Sequence, residues 1–121
     1  MAVILLVEDD TLTLDVAAMM MREWGHQTLA AGDVEEALVI LRSSQHIDAL
    51  FTDIYLKGEP NGGCDIARQA MELRPALRVL YATGNSLTAK LKTMFVEGSD
   101  CLCKPYTSNQ LQHSLGVLLA A

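Results

Sequence analysis

The stretch Val3-Ile4-Leu5-Leu6-Val7-Glu8-Asp9-Asp10 decides how the rest of the chain is read. Five consecutive apolar residues are the length of a strand, and the lack of alternation marks one buried on both faces, as in a parallel sheet covered by helices. Three acids then end the run abruptly. Beyond them Leu14, Ala17, Ala18, Met21 and Trp24 recur at helical spacing, with Gly25 placed as a helix stop. The chain therefore opens strand then helix.

The alternation continues. Gln27 to Ala31 is a weaker strand, and Asp33 with Glu36 three residues later reads as a capping box opening a helix with Val34, Ala37, Leu38 and Leu41 inward. Ala49-Leu50-Phe51-Thr52 forms a third strand ending at Asp53. Gly58, Pro60, Asn61, Gly62 and Gly63 then mark a long loop before a helix carrying Ile66, Ala67, Ala70 and Met71. Leu77 to Ala82 reads as a fourth strand, Leu87, Leu91, Met94 and Phe95 as the inner face of a fourth helix, and Cys101-Leu102-Cys103 as a short fifth strand. Leu111, Leu115 and Leu118 give a fifth helix. Five strands alternating with five helices predict an α/β fold with a mainly parallel sheet covered on both sides. No linker, repeat or low-complexity stretch interrupts it, so residues 1–121 are expected to form one domain.

The totals narrow the function. With 121 residues, half of them hydrophobic, one core can be buried. Nine basic against 15 acidic residues give a net charge of −6, the wrong sign for neutralising nucleic-acid phosphates, so no direct DNA or RNA binding is expected. The apolar run from Ala2 to Val7 is too short to span a membrane and lacks the flanks of a signal peptide, which predicts a soluble cytoplasmic protein. Cys64, Cys101 and Cys103 form neither an even framework nor a C-x-x-C pair, and His26, His46 and His113 stand at no metal-ligand spacing with them. Reduced thiols and no zinc site follow.

In an open parallel sheet, ligands bind outside the carboxyl ends of the strands. Here those ends carry Glu8 and Asp9, Asp53, Thr83-Gly84 and Lys104-Pro105. Clustered carboxylates repel one another, and a hard cation with oxygen ligands relieves them; Mg²⁺ is the natural candidate. A lysine, a hydroxyl and a metal beside a carboxylate are also the parts that hold a transferring phosphoryl group, with the carboxylate as nucleophile. Each element has a plainer reading alone: Asp53 as a helix cap, the acids as a solvated first turn, Thr83-Gly84 and Lys104-Pro105 as turns. Their joint occurrence in this order is what carries weight.

The acidic pair, isolated aspartate, Thr-Gly and Lys-Pro resemble the response-regulator receiver family over essentially the whole chain. The resemblance implies a flavodoxin-like, doubly wound, five-stranded parallel sheet of order 2-1-3-4-5 in a three-layer α/β/α arrangement. It implies Asp53 as the phosphorylation site, Asp9 as a direct Mg²⁺ ligand, Glu8 as the second acid of the pair, and Tyr55 supplying a backbone carbonyl to the metal. Thr83 would bind a phosphoryl oxygen and move inward on activation, Lys104 would pair with the phosphate, and Pro105 would follow a cis bond. Asp10 is left to begin the first helix. The implied partners are a sensor histidine kinase or phosphotransfer protein, met near the first helix where Met19 or Met20 is a candidate contact. An output domain or effector would be reached through the fourth helix, fifth strand and fifth helix; a dimer is compatible with this.

Two positions and one loop length depart from the family pattern, and two further positions bear on phosphoryl lifetime. Lys57 stands four residues after Asp53, where proline is common, and the loop to Asn61-Gly62 is one residue longer than in chemotaxis-type receivers. Tyr55 and Asn85 occupy positions that influence how fast the phosphoryl group is lost. Cys101 replaces the aromatic residue that usually rotates with the threonine. Two other functions compete: a Mg²⁺-dependent aspartyl-phosphate hydrolase, which would want an acid where Tyr55 stands, and a degenerate receiver serving only as an interaction module.

Overall fold

A computed structural model describes residues 1–84 and 87–120. Strands β1 (Val3–Val7), β2 (Gln27–Ala31), β3 (Ala49–Asp53), β4 (Arg78–Thr83) and β5 (Asp100–Cys103) alternate with helices α1 (Thr11–Glu23), α2 (Val34–Arg42), α3 (Gly62–Leu73), α4 (Ala89–Lys92) and α5 (Ser108–Ala120). All four strand pairings are parallel, in the order β2-β1-β3-β4-β5. This is the expected order, and the three inner strands β1, β3 and β4 carry the apolar runs Val3–Val7, Ala49–Phe51 and Val79–Ala82.

Successive strand residues face opposite layers. Leu5, Val7, Leu50, Val79 and Tyr81 pack with Ala37, Leu41, Ile66 and Ala70 of α2 and α3. Ile4, Leu6, Phe51, Leu80 and Ala82 pack with Ala17, Met21, Leu111 and Leu115 of α1 and α5. The sheet thus lies between two helical layers, which is why its inner strands carry no polar side.

The helix starts follow their sequence signals with one adjustment. Asp33 accepts from the Glu36 N–H at 2.8 Å, but Glu36 returns its carboxylate to the Gly32 N–H at 3.1 Å, one residue before the cap. Gly25, with φ +93°, ends α1 as expected. Two expectations are corrected. Gly62 and Gly63, read as loop, form the first turn of α3. The fourth helix is a single turn, Ala89–Lys92, with no buried residue, and Met94 and Phe95 lie beyond it. Phe95 stacks on buried Tyr81, with centroids 4.3 Å apart and an interplanar angle of 20°, and the Val96 N–H donates to the Tyr81 hydroxyl at 3.1 Å. Those contacts anchor the segment after α4 to the core.

Candidate phosphoacceptor and metal site

Parallel pairing brings the carboxyl ends of β1, β3, β4 and β5 to one edge. The Val7↔Thr52, Asp53↔Ala82 and Thr83↔Cys103 registers place Glu8, Asp53, Thr83 and Lys104 side by side. The Glu8 N–H donates to the Ala31 carbonyl at 3.1 Å and the Lys104 N–H to the Thr83 carbonyl at 2.8 Å, so both ladders run one residue into the site.

Ligand atoms of Glu8, Asp9 and Asp53 lie within 4.8 Å of one another, the one such grouping of His, Cys, Asp or Glu among the described residues. The three acids play different parts. Glu8 is only 8% exposed; its Oε1 accepts from Lys104 Nζ at 2.7 Å and its Oε2 from the Asp10 N–H at 3.2 Å. Asp53 is half-buried and its Oδ2 accepts from Lys104 Nζ at 3.1 Å. Asp9 is exposed, and its Oδ2 accepts from the Lys57 N–H at 2.8 Å. Asp10 turns away to cap α1, accepting from the N–H and hydroxyl of Thr13.

Electrostatics set what the cluster can hold. Burial, with the charge of Asp53 beside it, raises the Glu8 carboxyl above its ordinary range despite the hydrogen bond from Lys104. Burial works against the Lys104 ammonium, yet hydrogen bonds to Glu8 and Asp53 outweigh it and hold its pKa above the usual lysine value. Three carboxylates face one ammonium, which leaves two negative charges among hard oxygen donors. A divalent cation such as Mg²⁺ fits that donor set and that charge.

Thr83 is buried, 3% exposed, at the end of β4. Tyr55 follows Asp53 by two residues with its side chain exposed. The Lys104–Pro105 peptide is cis, as the resemblance implied. Asn85 lies outside the described residues.

Two site features escaped the sequence reading. Gly63 packs so tightly on Asp53 that a Cβ there would stand 2.0 Å from the Asp53 carbonyl oxygen. The loop after Asp53 is a tight hairpin, with Leu56 and Glu59 bridged antiparallel and the Lys57 N–H aimed at Asp9. The Gly62-Gly63 doublet was the available signal for the first, and a non-proline residue at 57 for the second.

A family model for the response regulator receiver domain matches residues 4–116. The chain belongs to the response regulator receiver family. A receiver protein from Sinorhizobium medicae superposes with a TM-score of 0.90 at 30% identity, over 99% of this chain and 95% of that one. The receiver domain of the hybrid histidine kinase CckA matches with a TM-score of 0.80 at 28% identity, covering 97% and 98% of the two chains. The receiver domain of the Pseudomonas aeruginosa sensor histidine kinase PA1611, with a magnesium ion coordinated in its active site cleft, shares the fold: TM-score 0.83, 23% identity, 99% and 98% coverage. This chain is thus a receiver of phosphorelay signalling, a phosphoacceptor switch by family. No helix among the described residues is long and apolar enough to cross a membrane.

Proposed function

We propose that residues 1–121 act as one receiver unit that accepts a phosphoryl group on Asp53 from a phosphohistidine of a sensor kinase or phosphotransfer protein, with Mg²⁺ bound by Glu8, Asp9, Asp53 and the Tyr55 carbonyl. The observation that carries this is the convergence of three carboxylates within 4.8 Å, two of them bridged by Lys104 Nζ. The cation would screen the charge on the phosphoryl oxygens and the acidic cluster. A carboxylate oxygen of Asp53 attacks phosphorus as the P–N bond to the histidine breaks, and the imidazole takes up the released electron pair. Lys104, already placed between Glu8 and Asp53, moves its hydrogen bond from the Asp53 carboxylate to a phosphoryl oxygen. Thr83 supplies a hydroxyl from the neighbouring strand end. In autodephosphorylation water attacks phosphorus, the bond from phosphorus to the Asp53 oxygen breaks, and inorganic phosphate leaves as the carboxylate is restored, so the chemistry is self-directed.

The partner surfaces follow from the same placement. A groove of about 600 Å³ between α1 and the segment after β5 is lined by Leu12, Val16, Met20, Lys104, Pro105 and Tyr106. An apolar helix carrying the donor histidine fits it, and Met19 is a further exposed apolar residue of α1. Output is assigned to α4, β5 and α5. Three free cysteines suit the reducing cytoplasm.

Incubation with acetyl phosphate and Mg²⁺ tests the site. Intact-mass measurement is expected to show one added phosphoryl group, absent in Asp53→Ala and suppressed when Mg²⁺ is chelated. An adduct that survives either change overturns the assignment.

A further inference from the structure

Asp9 is the exposed member of the acidic cluster, and an unrestrained aspartate of this kind would sample three staggered χ1 wells. Its restraint is the Lys57 N–H, which reaches it across 48 residues of sequence at 2.8 Å. That donor is rigidly mounted. Lys57 and Gly58 form the corners of a two-residue turn closed by Leu56 N–H to Glu59 O at 3.1 Å and Glu59 N–H to Leu56 O at 2.7 Å. Leu56 is buried, and the Gly62 N–H donates to the Glu59 carbonyl at 3.0 Å, tying the hairpin to the core and to α3.

The turn itself makes no use of the Lys57 N–H. Gly58 has φ +78° and Lys57, like every described non-glycine residue, has negative φ, the sign pattern of a type II turn. Proline is favoured at the first corner of such a turn, and the preceding residue must then be extended, as Leu56 is in its antiparallel bridge. A proline at position 57 would therefore keep the hairpin and delete the donor.

We propose that the backbone N–H of Lys57 is a positioning group for cation binding: it holds one oxygen of Asp9 so that the other is presented beside Glu8 and Asp53. This rests on the metal reading above. The residue type matters only in not being proline, so the lysine side chain is dispensable.

Two measurements test it. In apo protein, amide hydrogen exchange at residue 57 followed by NMR is expected to be protected in wild type and in Lys57→Ala, and about ten-fold faster in Asp9→Ala, where the charged acceptor is gone. Calorimetric Mg²⁺ titration is expected to show Lys57→Ala binding at least as tightly as wild type. Lys57→Pro, with urea unfolding confirming that it folds, is expected to bind about three-fold more weakly, the three χ1 wells having been released. Equal affinity in the proline and alanine variants, or exchange at residue 57 indifferent to Asp9→Ala, overturns the inference alone. Wild-type protein that binds no Mg²⁺ overturns the metal reading and takes the inference with it.

Discussion

Replacing Gly63 by alanine puts a methyl group where the backbone after Asp53 already stands. The added Cβ would lie 2.0 Å from the Asp53 carbonyl oxygen and 2.8 Å from both the Asp53 carbonyl carbon and the Ile54 Cα. An ordinary contact needs about 3.5 Å, so one side must retreat by roughly 1.5 Å. Neither can do so cheaply: the obstructing atoms are backbone, the Ile54 N–H is paired with Ala82 O at 2.9 Å, and the Gly63 N–H with Ile54 O at 2.9 Å. Overpacking costs about 1–3 kcal/mol where side chains can yield, and here the top of that range applies. The helical preference of alanine over glycine returns only about 0.5–1 kcal/mol. The expected net loss is about 2–2.5 kcal/mol, a large share of the total stability of a domain this size. Gly116→Ala is the control, because nothing lies within 4 Å of its added Cβ in the middle of α5; it is expected to stabilise by about 0.5–1 kcal/mol. Urea unfolding of both variants at unchanged m is the assay. Gly63→Ala as stable as wild type would refute the close approach of α3 to Asp53.

The hydroxyl and the ring of Tyr81 separate cleanly. Tyr81→Phe keeps the stack on Phe95 but strands the Val96 N–H, and is expected to cost about 1 kcal/mol; Tyr81→Ala also empties the core and is expected to cost about 3–5 kcal/mol, both read by urea unfolding. Native alkylation with iodoacetamide at pH 8, resolved with single Cys→Ser variants, is expected to modify exposed Cys103 first, since Cys64 is buried and burial, with Cys103 and Asp100 adding to it, pushes the Cys101 thiol up to about 11. Modification of Cys64 first would contradict the packing under α3. Burial lowers the His26 pKa, helped by the N-terminal charge, and its Nδ1 accepts from the Ala2 N–H at 3.1 Å, so the folded state favours neutral imidazole. With the folded pKa below the unfolded 6.5, its stabilisation is present above pH 6.5 and lost as pH falls through the folded value. The stability gap between wild type and His26→Asn is expected to narrow from pH 7.5 to pH 5, and a constant gap would refute the linkage.

How far the sequence spoke for itself depended on what enforced each element. Val3 to Val7 and Ala49 to Thr52 lie inside the sheet, where both faces demand apolar side chains, and their composition alone is decisive. The site residues were legible for a related reason: polar groups that abruptly end such strands must meet at one edge once the pairing is parallel. A fourth helix was legible, but its extent was not. Leu87, Leu91, Met94 and Phe95 have helical spacing, but the Phe95 stack on Tyr81 and the Val96 N–H bond to its hydroxyl are long-range contacts that override the local pattern. Gly62-Gly63 misled in the same way, because a doublet that looks like loop punctuation is required by what α3 touches. The Lys57 N–H left only a faint signal, a residue other than proline at position 57, because a backbone donor is common to every residue but proline.

Cys101 takes on a definite meaning once Tyr81 is placed. The two are register partners on β4 and β5, and Cys101 packs on the same side of the sheet as Tyr81. The aromatic bulk missing from β5 is therefore supplied by β4, two residues before Thr83 and on its face of the strand, where it cannot rotate freely: the ring is fully buried, stacked and hydrogen-bonded. On the reading proposed here, movement of Thr83 toward a phosphoryl group would pull on the strand that carries Tyr81, and Tyr81 grips Phe95 and Val96. The segment it grips follows a single helical turn with no buried residue, the kind of low-contact region that opens at small cost. A receiver built this way would transmit its state through the chain after α4, as a shift of backbone held by one tyrosine, in place of a side-chain rotation on β5.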